Sequence, residues 1–270
     1  MKGVILAGGL GSRLQPITHV TNKHLLPVGN KPMIYYPIEN LVKSGITDIL
    51  LVTGGQHAGH FLRVLKNGKE LGVQHLEYAY QEGEGGIADA LALARDFVGE
   101  DTCCVMLGDN VYQHCIKSYV DLFKTLGPQR SRALVLGKCP AGYDATRFGI
   151  AVRGPVATRF NDLDTTYQPA EIKEKPSIGF LERLIAVEQQ YDILTGTYFY
   201  TPDVFDICDS LEPSARGELE ISDVNKDYMR RTSLTVAPVK GYWTDAGTFE
   251  SLLSASNQVK DNGANNDATV

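Results

Sequence analysis

The sequence predicts an α/β fold, a mixed, mostly parallel sheet flanked by helices. Two observations predict it. Short β-rich apolar runs alternate with helical patterns through the first half of the chain, the order in which a doubly wound sheet is laid down. Residues 48–53, Asp-Ile-Leu-Leu-Val-Thr, stay apolar without alternation, as a strand does when both sheet faces are covered.

The elements follow in order. Val4-Ile5-Leu6-Ala7 reads as the first strand and runs into the glycine loop Gly8-Gly9-Leu10-Gly11. Ile34, Ile38, Leu41 and Val42 keep helical spacing, with Gly45 as the stop. After the strand at 48–53 come a helix near 58–65, a strand near 75–80 and a helix over 87–98. In that helix Ile87, Leu91, Ala94 and Val98 share one face. The next strand, 103–107, ends in Gly108-Asp109-Asn110. The second half is more mixed, with strands predicted at 133–137, 149–152, 197–200 and 234–238. Helices are predicted near 180–189, 203–210 and 248–258. No repeat or long linker interrupts the chain, which reads as one domain. The polar stretch 261–270 reads as a loose tail.

Composition narrows the class. The 270 residues are 43% hydrophobic and 21% charged, typical of a soluble globule. The five cysteines are odd in number and form no C-x-x-C pair, which suits a reducing cytoplasm and excludes the usual zinc patterns. A net charge of −6 argues against general nucleic-acid binding. No signal peptide is evident, and no apolar run approaches the roughly 18 to 20 residues of a membrane span.

Several motifs carry chemistry. Glycines directly after a first strand let backbone N–H groups approach a phosphate or a flat base. The dinucleotide fingerprint fails because Leu14 stands at the third glycine position, and no Walker A lysine follows. What remains is a glycine loop with Arg13 and, ten residues on, Lys23, two cations suited to a triphosphate; a tight turn with solvated charges is the other reading. Asp109 stands at the carboxyl end of a strand, the edge where open α/β sheets bind ligands. Asp245, in Trp243-Thr244-Asp245-Ala246-Gly247-Thr248, is a second candidate carboxylate for a hard dication; a turn or cap role is open for both.

Gln81 precedes a flexible glycine-rich loop and can hydrogen-bond a base edge in both directions. Glu171-Ile172-Lys173-Glu174-Lys175-Pro176 offers a carboxylate for sugar hydroxyls and a lysine for a phosphate. Asp162-Leu163-Asp164 matches a glycosyltransferase D-x-D but lacks a preceding strand, so it reads as loop. His57 and His60 read as ordinary surface histidines.

Together these segments resemble the glucose-1-phosphate thymidylyltransferases, also called dTDP-glucose pyrophosphorylases. The matching pieces are GGLGSRL at 8–14, NKHLLPV at 22–28, KPMIYYP at 31–37, LGDN at 107–110 and RFGI at 147–150. EKP at 174–176, TGTYFY at 195–200, RGELEISDVN at 216–225 and WTDAGT at 243–248 complete the set. Each is modest evidence alone; nine in order, spanning nearly the whole chain to about residue 258, are strong.

The resemblance implies a Rossmann-like nucleotide-diphospho-sugar transferase fold in one domain, 1–260. Its nucleotide-binding half would cover about 1–130 and its sugar-binding half about 131–260. It implies that Leu6, Gly8, Gly9, Gly11, Gln81 and Gly86 hold the nucleotide. Arg13, Lys23 and Lys175 would act catalytically on phosphates, and Asp109 with Asp245 would hold Mg²⁺. Gly149, Glu174, Lys175, Thr195 and Tyr198 would line the sugar-phosphate site. The substrates implied are dTTP, or UTP, and a sugar 1-phosphate, with glucose 1-phosphate first among them. A cytoplasmic homo-oligomer, dimer or tetramer, is implied as well.

The sequence departs from the family pattern in three places. EGEGG follows Gln81 where a proline-containing stretch is expected, and the segments 149–174 and 176–195 are longer than expected. The chain also stops before the extra C-terminal helices of long-form members. Three competing readings are a UTP or other-sugar enzyme, a non-catalytic regulatory subunit that binds nucleotide sugars, and a metal-dependent glycosyltransferase.

Overall fold

A computed structural model describes residues 1–158 and 165–267. The first half contains β1 (Lys2–Ala7), β2 (Pro27–Val28), β3 (Lys31–Pro32), α1 (Tyr35–Lys43), β4 (Asp48–Gly54), α2 (Ala58–Leu65) and β5 (His75–Gln81). Then come α3 (Ile87–Ala92), α4 (Arg95–Val98), β6 (Cys103–Leu107), β7 (Asn110–Tyr112) and α5 (Lys117–Arg130). The second half contains β8 (Ala133–Lys138), β9 (Ile150–Thr158), β10 (Thr166–Lys173), α6 (Ile178–Ala186) and β11 (Tyr191–Tyr200). It closes with α7 (Val204–Asp209), α8 (Ile221–Arg230), β12 (Leu234–Pro238), β13 (Trp243–Asp245) and α9 (Phe249–Asn262).

Nine strands form one mixed sheet in the order β5-β4-β1-β6-β11-β8-β12-β10-β9. Pairing is parallel from β5 through β6, as the first-half sequence order predicts, and again between β8 and β12. It is antiparallel where β11 meets β6 and β8 and where β10 meets β12 and β9. Residues 150–152 of β9 also pair with 191–193 of β11, so the second half of the sheet curls back on itself.

Alternate residues of the strands face opposite cores. Val4 and Leu6 of β1 join Leu91 of α3 in one cluster, while Ile5 and Ala7 join Ile38 and Leu41 of α1 in the other. That is the period-two geometry of a sheet covered on both sides. Among the described residues no helix is long and apolar enough to cross a membrane.

Three expectations are revised. The single helix over 87–98 is two, because the chain tightens at Leu93 and Ala94, where the Ala94 N–H donates to Leu91 O three residues back at 2.9 Å. Leu91, Ala94 and Val98 stay buried on one face regardless. The strands near 149–152 and 197–200 are longer, and α5, β10 and α8 were not foreseen. The stretch from 261 is not loose over its described part. Asn265 is buried, accepting from Asn40 Nδ2 at 2.7 Å and donating to Tyr36 O at 2.9 Å. Lys43 Nζ donates to Asn265 O, and the Asn265 and Asn266 N–H groups donate to Tyr112 O and Gln113 O. The Asp162–Asp164 motif lies outside the described residues.

Candidate active site

A cavity of about 330 Å³ opens at the carboxyl ends of β1, β5 and β6 and is closed on its other side by residues 147–149 leading into β9, by β11 and by the turn after β10. Every sequence-predicted site residue except Gly11 lines it. Gly11 instead backs onto Lys23. Its φ is +69°, and a Cβ there would stand 2.8 Å from Lys23 Cβ, so glycine allows both the left-handed turn and the close approach.

The glycine loop leaves β1 beside Gln81. A Cβ on Gly8 would lie 2.7 Å from Gln81 Oε1. The Gln81 amide group donates to Gly86 O at 3.0 Å and to Asp89 Oδ2 at 2.7 Å. The two-way hydrogen bonding expected of Gln81 is therefore reduced to one direction, because its N–H groups are engaged and Oε1 remains as an acceptor. Gly86, at φ +98°, lies so close to the chain at 219 that a Cβ would stand 2.5 Å from Leu219 O.

Lys23 is placed by a single 3-10 turn whose Asn22 cap accepts the His24 N–H at 2.9 Å. Its ammonium donates to Asp109 Oδ2 at 2.6 Å, both side chains being nearly buried. Burial alone would raise the Asp109 carboxyl, but the neighbouring Lys23 charge, His24 and the Lys23 hydrogen bond hold it down at about 2. His24 is itself buried and neutral, lowered to about 3 chiefly by burial and then by Lys23. Its Nδ1 lies 2.7 Å from Asn22 Oδ1.

Asp245 reaches the same place by way of a small ladder. β13 pairs with β7 in antiparallel register, Asp245 opposite Asn110, and the Ala246 N–H donates to Asp109 O at 2.9 Å. A Cβ on Gly247 would stand 3.1 Å from Asp245 Oδ2, 3.2 Å from Arg13 Nη2 and 3.7 Å from Asp109 Oδ2. Two carboxylates and a guanidinium thus converge on one point. Burial pushes Asp245 up to about 6, the negative Asp109 adding to the rise against Arg147, Arg13 and Lys23. Among the described residues no group of three or more His, Cys, Asp or Glu side chains forms a metal cluster. A carboxylate pair that leaves its remaining positions to phosphate oxygens and water is the donor set Mg²⁺ takes in phosphate chemistry.

The opposite wall is rich in acceptors. Glu174 Oε2 lies 3.0 Å from where a Gly149 Cβ would be, so glycine makes room for the carboxylate. Burial and then the charge of Glu220 raise the Glu174 carboxyl, offset by Lys175, Arg216 and Ser222. Lys175 has φ +40° and its N–H donates to Phe148 O at 3.0 Å, turning the chain back over the cavity. The Thr195 hydroxyl is engaged behind the wall, accepting from Tyr112 at 2.7 Å and donating to Leu136 O at 3.0 Å. Tyr198 is buried and stacks on Tyr200, with ring centroids 5.9 Å apart.

Sequence reasoning gave no role to Arg147, Arg216, Glu220 or Asn110, all of which line the cavity. Arg147 Nη2 stands 3.3 Å from Asp245 Oδ2. Arg216 Nη2 stands 2.7 Å from Glu220, 3.3 Å from Glu218 and 3.9 Å from Glu174. The signal was present, since these residues fall inside LGDN, RFGI and RGELEISDVN. His57 and His60 stack at 5.1 Å away from the cavity lining.

Residues 2–262 match the nucleotidyl transferase family. The chain is 37% identical over 262 residues to a glucose-1-phosphate thymidylyltransferase of Neisseria meningitidis, covering 96% of this chain and 83% of that one. It is 37% identical to the enzyme of the same name from Mycolicibacterium smegmatis, covering 96% and 82%. A Bacillus anthracis structure assigned as a glucose-1-phosphate thymidylyltransferase, solved with sucrose, superposes with a TM-score of 0.80 at 43% identity over 97% of this chain and 96% of that one. A UDP-glucose pyrophosphorylase bound to UDP-glucose superposes at 0.78 with 22% identity, over 96% and 98% of the chains, a likeness of fold.

Proposed function

The chain belongs to the nucleotidyl transferase family, and from that premise we propose that its cleft transfers dTMP from dTTP to glucose 1-phosphate, releasing pyrophosphate. The observation that carries this reading is the convergence of Asp109, Asp245 and Arg13 over Gly247, between the glycine loop and the Glu174–Lys175 turn. The first half of the chain holds the nucleotide and the second the sugar phosphate, with Asp245 crossing between them.

Gln81 Oε1 accepts the N3–H of the pyrimidine, and the loop at Gly8 and Gly9 lets the backbone approach the nucleotide. Lys23 and Arg13 grip the triphosphate. Glu174 accepts from sugar hydroxyls, while Lys175 and Arg216 hold the sugar phosphate. An oxygen of that phosphate is already anionic, so no strong general base is needed. It attacks the α-phosphorus in line; the new O–P bond forms as the bond to the β-phosphate oxygen breaks, and pyrophosphate leaves with the electron pair. The barrier lies in bringing two polyanions together in register. Asp109 and Asp245 would hold Mg²⁺, which would supply charge neutralisation to the triphosphate. Arg13, Lys23 and Lys175 stabilise the charge that develops. Five free cysteines suit a reducing cytoplasm as the place of the reaction.

Pyrophosphate release with Mg²⁺, crossing dTTP and UTP against glucose 1-phosphate and other sugar 1-phosphates, tests the assignment. Release with dTTP and glucose 1-phosphate, abolished by EDTA, is expected. No release with any pair would overturn it.

A further inference from the structure

Both carboxylates of the proposed metal pair are covered by the chain's own cations, two of which, Lys23 and Arg13, are those proposed to grip the triphosphate. Lys23 Nζ sits 2.6 Å from Asp109 Oδ2, with side-chain exposures of 13% and 10%. Arg147 lies 3.3 Å from Asp245, and Arg13 approaches the same point above Gly247. A dication arriving alone meets a donor already occupied by an ammonium, beside two guanidinium groups. A triphosphate arriving alone meets cations held by carboxylates. Each ligand removes the obstacle to the other.

The Lys23 side chain is built for such an exchange. Its root is pinned, since Gly11 packs within 2.8 Å of Lys23 Cβ by the position a Cβ would take. Its tip lies within reach of the glycine loop even while it holds the carboxylate: Cε and Nζ stand 3.8 and 4.0 Å from the position a Cβ would take on Gly9. A rotation of the flexible stem carries the ammonium from the carboxylate to the glycine loop.

We infer that Lys23 is an exchangeable occupant of Asp109, filling the dication's place in the free protein and leaving it when a triphosphate draws the ammonium away. Metal and nucleotide then enter with positive coupling through the chain itself, beyond the chelation they show in solution. The coupling is reciprocal, as linkage demands. This rests on the reading that Asp109 and Asp245 hold the metal.

The test uses Mn²⁺ as the probe, counted by electron paramagnetic resonance on the whole chain without nucleotide. Lys23→Met is expected to bind Mn²⁺ about tenfold tighter or more than the wild type, as removing a competing buried cation should. Adding Asp109→Asn to Lys23→Met should abolish the gain. Melting in the same samples keeps the result readable if Lys23→Met is weakened, because Mn²⁺ should then raise its Tm more than that of the wild type. Equal Mn²⁺ affinity in wild type and Lys23→Met, both sensitive to Asp109→Asn, would overturn the exchange while leaving the metal pair intact. Mn²⁺ binding with dTTP present that ignores Asp109→Asn would instead overturn the metal-pair reading on which the exchange rests.

Discussion

The two walls of the cleft solve opposite electrostatic problems. On the glycine-loop side each carboxylate meets a cation, Asp109 with Lys23 and Asp245 with Arg147. On the other side three glutamates, 174, 218 and 220, crowd around the single guanidinium of Arg216. A charge-matched wall can rearrange to admit a polyanion together with a dication. An acceptor-rich wall suits a ligand made mostly of hydroxyl donors, the ligand proposed for it above. The difference teaches that substrate class is written in the ratio of carboxylates to cations on each wall.

The sharpest way to break this contrast is at the matched wall. Asp109→Asn or Lys23→Ala is expected to lower kcat about 10²–10³-fold, the scale of lost electrostatic stabilisation, in a pyrophosphate-release assay. Near-wild-type rates in both would remove the roles assigned here. On the acceptor wall, Glu174→Gln should raise KM for glucose 1-phosphate about tenfold, the value of a charged hydrogen bond, and leave KM for dTTP unchanged. An effect on dTTP instead would merge the two walls.

A stability measurement separates them further, since only the matched wall carries a buried neutral histidine. His24 is lowered to about 3 in the fold, from 6.5 when free. Below 6.5 the unfolded chain takes up a proton that the folded one refuses, so stability is lost as pH falls through the window from 6.5 to 3. Between pH 7 and 5 the loss from this group is about 2 kcal/mol. It should show as a lower urea midpoint that His24→Gln does not share. The smallest effect is expected behind the acceptor wall. Tyr112→Phe removes a hydroxyl that bonds Thr195 at 2.7 Å and Thr197 at 2.8 Å, and about 1 kcal/mol of stability with it, read by the same unfolding assay.

The half of the fold that sequence made legible is the parallel half. β1, β4 and β6 are covered on both faces, so their apolar runs announce them, and the glycine loop, Lys23 and Asp109 follow their ends at short range. The antiparallel half hides its strands behind buried polar groups. Asp192 is wholly buried within β11, held by Arg153 at 2.8 and 3.0 Å and by the Tyr167 hydroxyl at 2.7 Å, and it breaks the hydrophobic pattern of its strand. β10 carries Pro169 at an irregularity in its register with β9, which reads as a loop. α8 buries Ser222 and Asn225, the latter accepting from Tyr200 at 2.7 Å, so its inner face looks polar. α5 carries a kink at Gly127 with Pro128 next to it, which disguises a helix. Arg147 escaped because its partner, Asp245, is brought to it only by folding, whereas Arg216 pairs with Glu218 and Glu220 close by in sequence, and only folding turns that cluster toward Glu174 and the cleft.

The hydrogen bonds around Asn265 bear on where this protein can be cut. The family match ends at residue 262, one residue before the chain turns back to the groups that Asn40, Lys43 and Tyr112 hold. A gene trimmed to the matched boundary would keep every proposed site residue and lose the fastening that joins α1 to β7, the strand that begins beside Asp109. An affinity handle appended after residue 267 leaves that fastening whole, whereas one fused at 262 competes with it.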